Sequence, residues 1–209
     1  MRECLAADDV TVVQTVGRTA AGVSHPKLRE IVHKDLSDYA SIRSQLTGFD
    51  ACFFCLGVSS SGMAEAEYEG LTYRITLASA YVLCSLNPRM TFIYVSGAAT
   101  DSSEKGRVMW ARVKGKTENA LLRLTFTAYM LRPGVIEPLH GIKSKTTSYR
   151  VFYTLARPLL PLARAILPNY ILTTEAIGRA MLNIARHGYS KRILESRDIR
   201  AAAQQSGSK

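Results

Sequence analysis

Apolar strand-like runs alternate along this chain with longer helix-like segments, and this alternation constrains the fold more than any other feature. Residues 51–56, Ala-Cys-Phe-Phe-Cys-Leu, form a continuous apolar run, which is typical of a strand buried on both faces of a parallel sheet. Residues 64–86 carry an apolar stripe at helical spacing and stop at Asn87-Pro88. By the same criteria we predict strands at residues 10–16, 30–33, 91–95, 128–131 and 192–195, and helices at 38–46, 110–124 and 173–186. The pattern predicts an α/β fold built on a parallel sheet.

Size and composition favour one domain that spans residues 1–209. With 209 residues and a hydrophobic fraction of 47%, the chain can bury a core without disulfides or structural metal. Residues 135–172 interleave basic and apolar side chains, and we interpret them as a variable segment on the substrate side. The small polar residues 201–209 are expected to form a frayed tail.

The basic composition leaves two interpretations open. A net charge of +10 suits either a basic, solvated surface or attraction of a phosphorylated ligand. We expect no nucleic-acid partner, because the sequence has no zinc-binding pattern, aromatic RNA-binding motif or recognition-helix signature. Residues 1–9 contain acids and no long apolar stretch, so we expect no signal peptide and a cytoplasmic location. Two arginines and two prolines interrupt residues 151–167, which predicts no stable membrane insertion, although a peripheral contact through residues 143–167 stays open.

The cysteines predict neither a redox pair nor a metal site. Cys52 and Cys55 form a C-x-x-C, but side chains three apart in a strand point to opposite faces. We therefore interpret these two, with Cys4 and Cys84, as reduced core residues.

Two motifs in the middle of the chain carry a family resemblance. Residues 94–99, Tyr-Val-Ser-Gly-Ala-Ala, are typical of a strand that ends in a serine, and residues 110–115, Trp-Ala-Arg-Val-Lys-Gly, of a helix that carries a lysine. Further matching motifs are Val-Gly-Arg at 16–18, the run at 50–57, Val-Lys-Gly-Lys-Thr-Glu at 113–118 and Leu-Arg-Pro-Gly at 131–134. In this order, residues 2–199 resemble the atypical short-chain dehydrogenases of the NAD(P)-dependent epimerase/dehydratase type. They are similar to the Tat-interacting oxidoreductase and NmrA-like branches.

The resemblance implies a Rossmann-like, doubly wound sheet and an altered catalytic site. It implies that Ser96 holds a substrate oxygen and that Lys114 holds the nicotinamide ribose. The family places an acid–base tyrosine four residues before this lysine, where this chain has Trp110. An indole donates a hydrogen bond but does not titrate usefully, so we expect impaired proton transfer. The candidates for a substitute donor are Tyr68, Tyr73 and Tyr149, and the spacing selects none of them. His140 is a candidate residue of the nicotinamide pocket, although a lone histidine is more often structural.

The implied cofactor is NADP rather than NAD. Arg18 follows a predicted strand where NAD-preferring folds place an acid, and a guanidinium there suits a 2′-phosphate. The resemblance also implies that Asp35 lies near the adenine edge, that the backbone at Leu56 and Gly57 approaches the cofactor, and that Pro133 and Gly134 contact the cofactor. Alternatives from the residues themselves stay open: a solvated turn arginine at 18, a helix-capping aspartate at 35, a flexible loop at 57, a turn serine at 96 and a solvated lysine at 114.

One part of a dinucleotide fold is not recognisable in residues 1–209. Such a fold opens with a strand and a glycine-rich turn, whereas residues 1–7 here resemble the end of a first helix. We therefore expect an N-terminally truncated sheet, with a gap between the strands at 10–16 and 51–56. We also expect dinucleotides to bind weakly or not at all, because the backbone donors for the pyrophosphate would be absent.

The predicted function is an NAD(P)(H)-binding oxidoreductase or epimerase-like protein of unknown substrate. The alternative is a non-catalytic NADP(H)-sensing or protein-interaction module, which the tryptophan at position 110 favours. Relatives pair through two helices that correspond here to residues 64–86 and 110–124, so the resemblance also implies a homodimer.

Overall fold

The computed structural model describes residues 1–139 and 171–205. The strands are β1 Val13–Gly17, β2 Leu28–Val32, β3 Ala51–Phe54, β4 Thr91–Val95, β5 Thr127–Arg132, β6 Val135–Glu137, β7 Ile171–Thr173 and β8 Ile193–Glu195. The α-helices are α1 Arg2–Ala6, α2 Glu65–Glu69, α3 Ile75–Leu86, α4 Met109–Leu122, α5 Thr174–His187 and α6 Ser196–Gln204. The predicted alternation of strands and helices is confirmed.

Every strand pairing in the described residues is parallel. The main sheet has four strands in the order β3-β4-β5-β8, β1 pairs with β2, and β6 pairs with β7. Parallel strands need crossover connections, and in the main sheet α2 and α3 lie between β3 and β4, α4 lies between β4 and β5, and α5 precedes β8. The doubly wound α/β fold predicted from the sequence is therefore confirmed.

The main sheet is packed on both faces because neighbouring side chains of a strand point in opposite directions. On one face Ile93 and Leu131 pack with Ile184 of α5 and Ile199 of α6. On the other face the core lies against α3 and α4, and its members are Phe54, Ala80, Phe92, Tyr94, Leu121, Phe126, Ala128 and Met130. Burial on both faces explains the continuous apolar runs in the sequence.

The expected gap in the sheet is present. Among the described residues, β1 pairs only with β2 and β3 pairs only with β4. A cavity of about 790 Å³ lies between the facing edges of β1 and β3, and both strands line it.

Several element boundaries differ from the sequence-based expectation. The strand expected at 51–56 ends at Phe54, and the segment 38–46 is a 3₁₀ helix, Ala40–Leu46. A π-helical turn, Gly70–Arg74, interrupts the long helix expected at 64–86 and begins at a glycine, a weak helix former.

The prediction of a frayed tail at 201–209 is wrong for residues 201–204, which are helical. Helix α6 extends to Gln204, because Ala202 is fully buried and the Asn183 side chain donates hydrogen bonds to the carbonyls of Ala202 and Gln205 at 3.0 and 2.9 Å. Of the segment 135–172, the two ends form β6 and β7, and residues 140–170 lie outside the described residues.

Candidate cofactor site at the carboxyl ends of the strands

The residues implied as site residues follow the carboxyl ends of several strands. Ser96 follows β4, Pro133 and Gly134 follow β5, and Leu56 and Gly57 lie just beyond β3. In a parallel sheet these ends share one edge, where α/β proteins bind ligands. Arg18 and Asp35 follow the strands of the separate β1–β2 pair. Arg18 and Leu56 both line the cavity between the two sheets.

Ser96 is buried, and its hydroxyl is engaged within the protein. Only 7% of the residue is exposed. Its Oγ donates to Oε1 of Glu118 at 2.5 Å and lies 3.1 Å from the carbonyl oxygen of Leu131. A hydroxyl has one proton to donate, so Ser96 does not present a free donor to a substrate oxygen in this arrangement. Its oxygen can still accept a hydrogen bond.

The carboxylate that accepts the hydrogen bond from Ser96 belongs to a buried ion pair between Glu118 and Arg132. The Glu118 side chain is fully buried, and Nε of Arg132 donates to its two carboxylate oxygens at 3.1 and 3.2 Å, with a further bond from Nη2. Arg132 also donates to Oγ of Ser102 at 2.5 Å and to Oε1 of Glu195 at 3.3 Å. Because every charge in the group has a partner, the cluster is a rigid polar core that links β4, β5, α4 and the loop after β4.

Lys114 contacts the same cluster from helix α4. Its Nζ donates to the backbone carbonyl of Ser96 and lies beside Gly97. Burial lowers the pKa of the Lys114 ammonium below its usual value of 10.5, and the nearby Glu118 carboxylate opposes this shift. An ammonium has three donors, so two remain for a ligand at the end of β4.

Trp110 lies in the first turn of α4, four residues before Lys114, and is half-buried. The two residues share a helix face, as the sequence predicts. Two of the tyrosines named as substitute donors lie in the described residues. Tyr68 is only 2% exposed, and the ring of Tyr73 lies under Nζ of Lys116, 4.8 Å from its centre. Tyr149 and His140 lie outside the described residues.

Arg18 and Asp35, which follow the strands of the β1–β2 pair, differ in the hydrogen bonds of their side chains. Arg18 is exposed directly after β1. Asp35 is exposed, but its carboxylate accepts hydrogen bonds from the backbone N–H and hydroxyl of Ser37, at 2.9 and 2.6 Å. These two bonds lower the pKa of Asp35 below its ordinary value. Asp35 therefore stabilises the turn before the 3₁₀ helix and does not cap that helix, which begins at Ala40.

The loop after β3 leaves open space at Gly57, whereas hydrogen bonds hold the loop after β5 to neighbouring segments. Gly57 is exposed, and a Cβ added there would meet nothing within 4 Å, so there is open space for a ligand. Pro133 is buried, and its carbonyl accepts from the N–H of Ala98 at 2.9 Å. The N–H of Gly134 donates to Oγ of Ser196 at 2.8 Å. Residues 133–134 thus tie together the loops that border Ser96.

The interpretation of all four cysteines as core residues needs one correction. All four are free thiols, but Cys55 is exposed and lines the cavity between the sheets. Cys55 directly follows the last residue of β3, Phe54. In the described part of the chain, no group of three or more His, Cys, Asp or Glu side chains is arranged to hold a metal ion.

Sequence reasoning missed the central role of Glu118 and Arg132. Both residues lie in the motifs that carried the resemblance, and Glu118 is four residues after Lys114 on the same helix face. A negative charge at helical spacing from the buried lysine was the available signal. Its partner on β5 required the tertiary structure.

Comparison with known proteins places this geometry in a familiar fold. No model of a protein family matches the chain. A curated relative, protein FMP52-2, mitochondrial, of Scheffersomyces stipitis, is 29% identical over 128 residues, covering 59% of this chain. That match spans about half of the relative, 54% of its length.

Solved structures extend the likeness over most of the chain. A UDP-N-acetylglucosamine 4-epimerase from Methanobrevibacter ruminantium, in complex with UDP-N-acetylmuramic acid, has a TM-score of 0.61 at 16% identity, covering 90% of this chain and 70% of its own. WbmF of Bordetella bronchiseptica, in complex with NAD⁺ and UDP, has a TM-score of 0.60 at 12% identity, covering 93% and 69%. RMD of Pseudomonas aeruginosa, complexed with NADPH, has a TM-score of 0.52 at 14% identity, covering 83% and 70%. The chain therefore has the fold of NAD(P)-dependent epimerases and short-chain dehydrogenases.

Proposed function

We propose that this chain binds NADP(H) at the carboxyl edge of its parallel sheet, as an oxidoreductase- or epimerase-type protein. The observation that carries the proposal is the juxtaposition of Lys114 and Ser96 beside Gly97 at the end of β4. The buried ammonium has donors left for the hydroxyls of the nicotinamide ribose. Proteins of the same fold have been solved with NADPH and NAD⁺ bound.

The preference for NADP(H) is assigned to Arg18. Its guanidinium is exposed after β1 and borders the cavity between the sheets, where a 2′-phosphate can pair with it through two parallel hydrogen bonds. The net charge of +10 favours the more highly charged of the two cofactors. Asp35 contributes to the shape of the neighbouring turn rather than offering a free carboxylate.

Cofactor fragments test this assignment without a pyrophosphate site. Ligand-observed NMR should detect stronger binding of 2′,5′-ADP than of 5′-AMP to the wild-type chain. Arg18→Asp should abolish this difference, because a lost charged contact is worth about 1.5–3 kcal/mol, or roughly ten- to a hundredfold in affinity. Arg89→Asp, an exposed arginine before the amino end of β4, is the matched control and should leave the preference unchanged. An unchanged preference in Arg18→Asp would remove this residue from the site.

Turnover is limited by the residue at position 110. A bound NADPH would supply the hydride for a carbonyl reduction to an alcohol, with NADP⁺ as the other product, and an acid of the protein would have to give the proton to the oxygen. Trp110 has no titratable proton to give. A positioned acid contributes about 10²–10⁴-fold in rate. With millimolar NADPH and diacetyl as probe, we expect Trp110→Tyr to raise the rate from near background.

Two variants test the origin of that gain. Adding Lys114→Ala to Trp110→Tyr should abolish it, because the ribose contact is lost. Trp110→Phe, which changes the ring without adding an acid, should stay at background. Brisk carbonyl reduction by the wild type, retained in Trp110→Phe, would contradict the assignment of the impaired step to this residue.

A non-catalytic NADP(H)-sensing or protein-interaction module is the second candidate function. The specific observation in its favour is the engaged hydroxyl of Ser96, which donates to the buried Glu118 instead of facing the open edge. This candidate is supported if Trp110→Tyr binds NADPH as the wild type does and still shows no turnover.

We also propose that the chain forms a homodimer. The homodimer would form through helices α2, α3 and α4 and the π-helical turn between α2 and α3. The exposed apolar side chains there are Leu71 in that turn, Tyr81 on α3 and Leu122 at the end of α4. Arg112 and Lys116 of α4 pair with Glu65 and Glu69 of α2, so these two helices are already joined within the chain.

A cytoplasmic location stays a prediction, and the curated relative is named as mitochondrial. Among residues 1–139 and 171–205, no helix combines the length and apolarity needed to cross a bilayer.

A further inference from the structure

Four exposed arginines lie at the amino edge of the main sheet, opposite the edge proposed for the cofactor. They are Arg43, Arg89, Arg123 and Arg192, and we call them the arginine edge. Arg89 lies two residues before β4, Arg123 is the C-cap of α4 in the connection to β5, and Arg192 directly precedes β8. Because the strands are parallel, their amino ends share one edge of the sheet. Arg43 joins this edge from the 3₁₀ helix, where its Nη2 donates to Oγ of Ser85 in the last turn of α3 at 2.9 Å.

Hydrogen bonds between side chains and loops hold the connections of this edge together. The buried side chain of Asn87, just before Arg89, accepts from the N–H groups of Gly48 and Phe49 at 2.8 and 3.1 Å, and so ties the end of α3 to the start of β3. Sγ of Cys84 lies 3.0 Å from Oγ1 of Thr125, which ties α3 to the connection before β5. The backbone that carries the arginines is therefore ordered in advance, which lowers the entropy cost of binding a partner.

The charges of the arginine edge are not neutralised by ion pairs. Within the described part of the chain, none of the four guanidinium groups forms a salt bridge. By contrast, Arg112, Arg179 and Arg186 on the helices all pair with carboxylates. The guanidinium of Arg192 lies 4.9 Å from the ring centre of Tyr129, a contact that leaves its charge in place.

Helix ends at this edge account for only part of the positive charge. Helices α3 and α4 end here, and the C-terminus of a helix carries about half a negative elementary charge, which favours cations nearby. Asp50, exposed directly before β3, adds one full negative charge. Together these groups offset about two of the four positive charges. A positive excess therefore faces solvent at the arginine edge.

We propose that the arginine edge lies on the headgroups of an anionic lipid membrane. Apolar side chains adjoin the arginines, with Pro88 exposed beside Arg89 and Leu124 half-buried beside Arg123. Basic and apolar side chains on one surface are the combination that binds anionic membranes peripherally. A nucleic acid strand gains affinity from aromatic rings on which its bases stack, and neither neighbour offers one. This surface is distinct from residues 143–167, and its binding does not require the cofactor.

The proposal also fixes how the molecule stands on the membrane. Trp110 lies in the first turn of α4 and Arg123 caps the other end, so the two residues are about 20 Å apart along the helix axis. A bilayer at the arginine edge therefore leaves Trp110 and Lys114, at the carboxyl edge, open to solvent. The candidate cofactor site then faces away from the membrane.

Co-sedimentation of the full chain with lipid vesicles tests the surface. We expect the wild type to bind vesicles of phosphatidylcholine mixed with phosphatidylserine, more weakly as salt is raised, and not to bind phosphatidylcholine alone. Each arginine near an anionic membrane contributes about fivefold in affinity, so Arg89→Glu/Arg123→Glu should bind at least about thirtyfold more weakly. Arg29→Glu/Arg107→Glu changes the net charge equally at two exposed arginines outside this edge, and should lose less than about threefold.

Several outcomes of these measurements would overturn the proposal. An equal loss in both double variants means attraction by net charge rather than by this edge. Equal binding to phosphatidylcholine alone means apolar adsorption, and no binding of the wild type to the mixed vesicles removes the membrane. If a DNA duplex binds more tightly than the mixed vesicles at the same salt, and Arg89→Glu/Arg123→Glu loses that binding, the partner is a nucleic acid instead.

Quenching by brominated phosphatidylcholine in the mixed vesicles tests the orientation. Trp110 is the only tryptophan, and its fluorescence should be unchanged when the wild type binds, because it lies at the far end of α4. In Trp110→Phe/Pro88→Trp the single tryptophan lies at the arginine edge, and its fluorescence should be quenched. Quenching of Trp110 in the wild type, with none in the double variant, would place the carboxyl edge on the membrane and contradict the proposal.

Discussion

Replacing Glu118 by glutamine should destabilise the protein far more than the same change at an exposed ion pair. Glu118 is fully buried, and its carboxylate accepts from the Arg132 guanidinium and from the Ser96 hydroxyl. Glutamine keeps an oxygen for Ser96 but opposes Arg132 with an amide NH₂. The guanidinium then stays buried without its main countercharge.

The expected loss follows from the contacts that remain. Removing one partner of a buried pair costs about 3–5 kcal/mol of unfolding free energy. Arg132 keeps Glu195 at 3.3 Å and Ser102 at 2.5 Å, and 11% of its side chain reaches solvent. Because these contacts remain, we expect a loss of unfolding free energy at the lower end of that range, about 3 kcal/mol. Glu69→Gln breaks the pair with Lys116, whose side chain is 41% exposed, and should cost less than about 1 kcal/mol.

Urea denaturation followed by the fluorescence of Trp110, the only tryptophan, measures both values. Replacing Glu118 and Arg132 together by methionine should recover much of the loss, because no unpaired charge is left. A loss in Glu118→Gln no larger than that in Glu69→Gln would refute the reasoning that the buried pair holds the site together.

Other parts of the structure lead to three more expectations. Gly115→Ala should cost about 1–3 kcal/mol in the same assay, because a Cβ there would lie 1.8 Å from the carbonyl oxygen of Asp101, whereas Gly57→Ala, with nothing within 4 Å, should cost little. Burial raises the pKa of Tyr39 to about 12, so folding favours its neutral form and stability should fall as pH rises from 10 towards 12; Tyr39→Phe should flatten this fall, and Tyr81→Phe, at an exposed position, should not. Tyr81→Glu should convert the proposed dimer into monomer in light scattering, and an unchanged mass would exclude this helix from the interface.

The sequence predicted the buried strands well because burial on both faces leaves a local signal. The strand β4 coincides with the predicted residues 91–95. The helix predicted at 173–186 is α5, and its N-cap is Thr173, whose Oγ accepts from the N–H of Ala176 at 3.0 Å. The glycine after that helix, Gly188, has the positive φ expected of a helix stop. Such signals depend only on neighbours in the chain.

Features that depend on distant residues were not predicted. The pairing of Glu118 on α4 with Arg132 on β5 joins residues 14 positions apart, and only the packing of the helix on the sheet brings them together. The burial of Ala202 against α5 keeps the final helix intact where composition alone predicted fraying. The engaged hydroxyl of Ser96 is a consequence of that same ion pair. Periodicity and motif spacing contain no information about such contacts.

The most direct test of the proposed function is a titration of the ¹⁵N-labelled chain with NADPH up to millimolar concentration, followed by backbone amide shifts. The account predicts shifts that cluster after β1, β3, β4 and β5, at Arg18, Gly57, Gly97 and Gly134, with smaller shifts near Arg18 when NADH replaces NADPH. Weak binding is sufficient, because the shifts map the site at any measurable occupancy. No shifts at millimolar nucleotide, or shifts confined to the amino ends of the strands, would contradict the proposed cofactor site.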